Sequence, residues 1–185
     1  MLQAKHIFRF YYKLKSLLSG GAFRIGRKAK IRYFTHFRWR KGGGIVIGRY
    51  FSAESGVVVD AQSGSIRIGD NVSLNDHVVL LGHGDITIDD DVRIATHVVL
   101  ASFDHNFAER HEAIRNQGIT KKPIVIGRDV WIGAGAKILG GSTIAAGCVI
   151  GANAVLKGST VPYGVYVGNP ARLLKVRGQH ERLIA

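Results

Sequence analysis

An aliphatic residue at every sixth position constrains this chain more than any other feature. Ile126, Ile132, Ile138, Ile144, Ile150 and Leu156 recur without a slip, and four places after each stands Val130, Ala136, Ser142, Cys148, Ala154 or Thr160. The same beat runs through Ile68, Leu74 and Leu80, and again through Ile88, Ile94 and Leu100. Four blocks repeat at the larger scale: Ile45-Val-Ile47-Gly, Ile66-Arg-Ile68-Gly, Ile86-Thr-Ile88-Asp and Ile124-Val-Ile126-Gly. Counted between Ile47, Ile68, Ile88 and Ile126, their spacings are 21, 20 and 38 residues.

A period of six suits neither a helical turn nor a plain series of hairpins. It suits a three-walled prism, in which each hexad supplies one short flat strand and one corner. The aliphatic residue then fills the interior, and the small side chain four places on shares the narrow core. Gly, Asn and Asp at the corners accept the left-handed backbone that such turns need. Three hexads, about eighteen residues, close one coil, so the spacings of 20 and 21 are coils with extra corner residues. At about 4.8 Å per coil, about five coils make a column of about 24 Å. Antiparallel sandwich strands seldom hold so fixed a short period.

The spacing of 38 equals one coil plus an insertion. Between Asn106 and Pro123 the apolar beat is broken by Glu109, Arg110, His111, Glu112, Arg115, Lys121 and Lys122. This stretch reads as a loop extruded from the column, and long loops in compact domains usually serve function. The expected organisation is a basic segment over 1–44, a column over 45–167 with loop 106–123, and a turn and tail over 168–185.

At 185 residues, 46% of them hydrophobic, the chain suits one domain with a real core. One cysteine, Cys148, excludes an internal disulfide framework and suits a reducing, cytosolic setting. Arg9, Lys13 and Lys15 interrupt the first apolar stretch, which makes a poor secretory signal. No run reaches the roughly 18 apolar residues of a membrane-spanning helix.

The net charge of +13 lies entirely at one end, because residues 1–50 hold 13 Lys or Arg and no Asp or Glu. Between Lys5 and Leu18, basic residues 5, 9 and 13 share a helical face, while Ile7, Phe8, Phe10, Tyr11, Leu14, Leu17 and Leu18 supply an apolar one. Such a helix either rests on an anionic membrane or packs on the column with its cations solvated. Farther on, Arg and Lys alternate with Phe23, Tyr33, Phe34, Phe37 and Trp39. Nucleic acid could use that mixture, but no recognised binding motif accompanies it. An anionic membrane surface met through residues 1–41 is the partner this charge suggests.

His105 stands where the ladder stops and the loop starts. The hexad count from Leu100 turns it outward, and the same count from Ile126 turns Trp131 outward. The order Asp104-His105-Asn106-Phe107, a loop, Pro123-Ile-Val-Ile-Gly-Arg-Asp-Val-Trp131-Ile-Gly, then Gly168-Asn-Pro-Ala-Arg172 resembles the hexapeptide-repeat acyltransferases. The similarity runs over about residues 45–177 and is greatest to the sugar O-acetyltransferase branch of maltose and galactoside acetyltransferases.

That resemblance implies an all-β, left-handed parallel β-helix that assembles as a homotrimer and binds acetyl-CoA between subunits, with no metal. The left hand comes from the family alone, since parallel crossovers are generally right-handed. It implies that His105 is the general base, which suits an imidazole of ordinary pKa about 6.5 acting on a poorly nucleophilic sugar hydroxyl. Asn75, Asp104 and Trp131 are implied in acceptor binding, and Ala134, Ala152, Arg172 and Lys175 in holding CoA. Asp104 or Glu112, or a backbone carbonyl, would orient the imidazole. The acceptor is a sugar or glycan, with surface polysaccharide or glycolipid biosynthesis the natural setting. Transfer to the nitrogen of an amino sugar is the alternative.

Two other functions stay open on these residues. A metal-dependent hydratase on the same column would use histidines, yet His77, His83, His97, His105 and His111 are separated by 6, 14, 8 and 6 residues. Those intervals do not reproduce a close pair with a distant third ligand. A non-enzymatic scaffold would need neither His105 nor the cations at 172 and 175.

Overall fold

Every third short strand stacks on the one a coil earlier, so the chain winds into three parallel walls around one apolar interior. In this computed structural model the described residues are Tyr12 and 14–178. The first wall stacks Phe23–Ile25, Gly44–Ile47, Ser65–Ile68, Ile86–Ile88, Ile124–Ile126 and Thr143–Ile144. The third stacks His36–Arg38, Val58–Asp60, Val79–Leu81, Val99–Ala101, Lys137–Leu139 and Val155–Leu156. Between them the eight-stranded second wall runs from Lys30–Ile31 to Arg172–Val176. This is the expected left-handed parallel β-helix.

The repeat explains the register. Ile47, Ile68, Ile88 and Ile126 are successive partners in the first wall. Leu74, Ile94, Ile132 and Ile150 align in the second, and Leu80, Leu100, Ile138 and Leu156 in the third. All are buried, each worth about 1.5–3 kcal/mol against exposure. The small residues of the beat occupy the interior corners. Ser142 is fully buried and donates its hydroxyl to the Leu139 carbonyl at 2.6 Å, so its polarity is met inside the column. Thr160 is half-buried, and its hydroxyl accepts from the Ala145 N–H at 2.8 Å.

The column begins earlier than the isoleucine blocks suggested. Phe23–Ile25 pairs in parallel with Gly44–Ile47, so residues 23–44 form a complete first coil rather than an appendage, making six rungs instead of about five. Phe23-Arg-Ile25-Gly carries the same pattern with an aromatic in the first place. That substitution hides the repeat while the core widens to take Phe23, Phe37 and Tyr12.

The other end also departs from expectation. Arg172–Val176 is not a loose tail but a strand antiparallel to Gly164–Val167 that extends the second wall. Arg177 secures its end, donating to the Gly147 carbonyl at 2.6 Å and pairing with Asp129 at 3.1 Å. Corners take more than Gly, Asn and Asp: Lys28, Phe34, Tyr50, His77, His97 and Tyr163 all have positive φ. Such backbones cost about 1–2 kcal/mol each. His77 and His97 offset part of that by stacking, with centroids 5.0 Å apart.

Candidate active site

The third-wall strand Val99–Ala101 ends, and the chain leaves the column as Phe103–His105, a strand antiparallel to Ile119–Lys121. The extrusion is therefore an arm with a paired base that starts three residues earlier than the charge pattern indicated. His105 pairs with Ile119 in register and its side chain is exposed, as expected, although it stands on the arm and not on a hexad wall. The imidazole stands edge-on to Phe103, with ring centroids 5.7 Å apart and planes at 74°. Phe103 in turn packs on His83 at 4.3 Å. Among the described residues nothing hydrogen-bonds the His105 ring.

Asp104 does not orient that ring. Its carboxylate accepts a hydrogen bond from Lys122 Nζ at 2.5 Å across the base of the arm. This bond, then the charge behind it, holds the Asp104 pKa below the ordinary carboxylate range. Glu112 contributes its backbone carbonyl to the arm, accepting from the Gln117 amide at 2.8 Å. The same amide donates to the Glu109 carbonyl at 2.8 Å and accepts from the Glu109 N–H at 3.1 Å. Asn106 donates to the Gln117 carbonyl at 2.9 Å and accepts from the Thr120 hydroxyl at 2.6 Å. These polar contacts, rather than a hydrophobic core, shape the arm and leave Phe107 and Ile114 exposed.

The remaining candidates lie on other edges of the prism. Asn75 is an exposed corner residue where the second wall gives way to the third, and its N–H donates to the Ile94 carbonyl at 2.9 Å. Ala134 and Ala152 are neighbouring rungs of that same edge, tied by the Asn153 N–H donating to the Ala134 carbonyl at 2.8 Å. The backbones approach closely there: a Cβ on Gly133 would lie 2.6 Å from the Ala152 nitrogen. Trp131 stands 55% exposed on the outer face of the second wall, above Arg93. Arg172 and Lys175 lie on that wall's last strand, where both are exposed.

One chain thus brings Asn75, Ala134 and Ala152 to the entry edge of the third wall and places His105 with Asp104 at its exit edge. It does not gather them around one point. Phe103, which packs on the imidazole, His83 behind it and Lys122 on Asp104 were not singled out from the sequence as parts of this site. Their signal was the coil itself, since His83 and Phe103 are one 20-residue coil apart. Burial keeps the His83 pKa low, with Asp60 opposing the shift and the charges of Lys121, Arg40 and His105 adding to it. Among the described residues no group of three or more His, Cys, Asp or Glu side chains could hold a metal ion.

Residues 123–158 match the bacterial transferase hexapeptide (six repeats) family model. A protein of Escherichia coli K12, provisionally described as a lipopolysaccharide biosynthesis O-acetyl transferase, is 31% identical over 152 residues, covering 78% of each chain. A probable acetyltransferase of Mycobacterium tuberculosis is 39% identical over 131 residues, 71% of this chain but 44% of that one. The chain therefore spans less than half the length of the mycobacterial relative. A hexapeptide-repeat acetyltransferase from Vibrio cholerae, solved in complex with acetyl-CoA, superposes with a TM-score of 0.61 at 26% identity, covering 89% of this chain and 75% of that one. With its hexad column, its arm at the third wall and these relatives, the chain belongs to the hexapeptide-repeat acyltransferase family.

Proposed function

We propose that the protein transfers an acetyl group from acetyl-CoA to a sugar hydroxyl, with His105 as general base. The observation that carries this is the placement of the His105 imidazole: exposed at the root of the arm and held edge-on by Phe103. A general base needs a ring nitrogen that the incoming hydroxyl can reach, and an exposed imidazole at this root offers one. His105 would take the hydroxyl proton as the sugar oxygen bonds to the thioester carbonyl carbon. As the carbon–sulfur bond breaks, the imidazolium would return that proton to the departing thiolate. The products are an acetyl ester and free CoA.

The second and third walls suit the donor. Ala134 and Ala152 leave their shared edge low enough for an extended pantetheine arm against the backbone, and the Arg172 and Lys175 cations suit the phosphates. Asn75 and Trp131 would contact the acceptor. Because these groups lie on different edges from His105, a complete site needs a second copy, and a homotrimer supplies one between each pair of chains. The outer face of the third wall favours such contacts: Val58, Val79 and Val99 form one half-buried apolar row, which Lys137 interrupts before Val155, beside Leu81, Ala101 and Leu139.

The relative from Escherichia coli described above favours a surface polysaccharide or glycolipid sugar as acceptor. The enzyme would then work in the cytoplasm, against the inner face of the membrane. Release of thiol from acetyl-CoA, followed across sugar, amino-sugar, nucleotide-sugar and polysaccharide acceptors, tests the reading. Turnover with a hydroxyl acceptor, lost in His105→Ala, is expected. Turnover only with amines would move the product to an amide, and full activity in His105→Ala would overturn the general base.

A further inference from the structure

The described part of the N-terminal segment divides cleanly between residues that seat on the column and residues that turn away from it. Tyr12 is buried, donates its hydroxyl to the Thr35 carbonyl at 2.8 Å and meets Phe37 edge-on at 5.2 Å. Lys15 donates to the Phe37 carbonyl at 3.0 Å and lies 4.7 Å over the Trp39 ring. Ser16 donates to the Phe23 carbonyl at 3.0 Å. These contacts close the open end of the apolar interior, so the segment is fixed to the first coil.

Leu14, Leu17 and Leu18 face the other way, 42%, 81% and 77% exposed. Residues 14–18 are helical, so this i, i+3, i+4 spacing sets the three leucines on one side. A shallow groove lined by Leu14, Lys15, Leu18, Ser19 and Trp39 runs beside them. The first coil, to which this stripe is fixed, exposes Arg24, Arg27, Lys28 and Lys30, and no Asp or Glu occurs anywhere in residues 1–50.

We propose that this end of the column is a docking face for an anionic lipid surface, with the leucine stripe seated at the headgroup boundary and the first-coil cations on lipid phosphates. Apolar burial together with charge attraction is how short amphipathic segments hold to membranes. Charge complementarity selects this occupant. A second copy of the same face would set like charges against each other, and a nucleic acid would leave three leucines without apolar contact.

Co-sedimentation of the full chain with vesicles tests the proposal, independently of any acetyl transfer. Binding is expected to vesicles of phosphatidylcholine containing about one third phosphatidylglycerol, and not to phosphatidylcholine alone, with added salt weakening it. The double variant Leu17→Glu with Leu18→Glu should lower the partition coefficient about tenfold or more. Arg27→Glu with Lys30→Glu should lower it about fivefold or more per charge. Thermal melting checks that each variant folds, and Leu17→Ser with Leu18→Ser replaces the glutamates if they do not. Equal sedimentation with both vesicle types, or wild-type binding by a folded leucine variant, would overturn the proposal. So would leucine-dependent self-association in place of lipid binding, or tighter retention on duplex DNA than on anionic vesicles.

Discussion

Phe103 holds the His105 imidazole edge-on, with ring centroids 5.7 Å apart, and is itself packed on His83 one coil below. The positive edge of one ring meets the face of the other, a contact worth about 0.5–1.5 kcal/mol beyond area burial. It restrains the imidazole without occupying a ring nitrogen. Phe103→Ala should therefore lower kcat about tenfold while leaving KM for acetyl-CoA nearly unchanged, and Phe103→Tyr should restore most of the loss. A change in KM alone, with kcat intact, would mean that Phe103 acts on donor binding instead.

His105→Ala should reduce kcat by a factor of about 10² to 10⁴. Because the side chain is exposed and, among the described residues, makes no hydrogen bond, its removal should leave the melting temperature close to wild type. Steady-state kinetics paired with a thermal melt separates loss of chemistry from loss of fold.

The Asp104–Lys122 pair makes a pH-dependent prediction about the arm. Lys122 lowers the Asp104 pKa, so the folded chain binds that proton less tightly than the unfolded chain. The pair's contribution is present above the unfolded carboxylate value and disappears as pH falls through the lower, folded value. Both side chains are partly solvated, so Lys122→Met should cost at most about 1 kcal/mol at neutral pH. The gap from wild type, read by denaturant titration, should close in acid below about pH 3.9. A gap that persists unchanged into stronger acid would assign the loss to the lysine's packing.

Gly26 tests whether the first coil belongs to the column. A Cβ there would lie 2.3 Å from the Gly48 carbonyl oxygen, backbone against backbone, with no flexible side chain to yield. Gly26→Ala should destabilise the whole protein by about 1–3 kcal/mol in a single cooperative transition. If residues 23–44 were a separate appendage, the substitution would leave the main melt untouched.

Subunit mixing tests the shared site. Arg172→Glu combined with Lys175→Glu should abolish use of acetyl-CoA in one chain, and His105→Ala should abolish proton transfer in another. Co-refolding the two inactive proteins should regain activity if a site draws its base and its cations from different chains. No recovery, in a sample shown to contain mixed assemblies, would place the whole site on one chain.

The hexad beat of Ile126 to Leu156 determined the prism, its parallel stacking and the outward aim of Trp131, because an interior that narrow accepts only a strict recurrence of side chains; His105 is exposed because it stands on the arm, off the beat. Where aromatics stood in for isoleucine, at Phe23 and Phe37, the same core was built on a beat that reading by residue type passes over. The partner of Asp104 was decided by tertiary structure, because antiparallel pairing of 103–105 with 119–121 is a register choice across the arm, and that choice brings Lys122 to the carboxylate. The spread of the candidate residues over two edges of the third wall was likewise invisible in the linear order, since neighbours along a coil are carried around a corner while residues 20 apart become contacts. The same closure turned Tyr12 and Lys15 onto the first coil and left Leu17 and Leu18 facing out, a division set by which side chains could cap the end of the apolar interior.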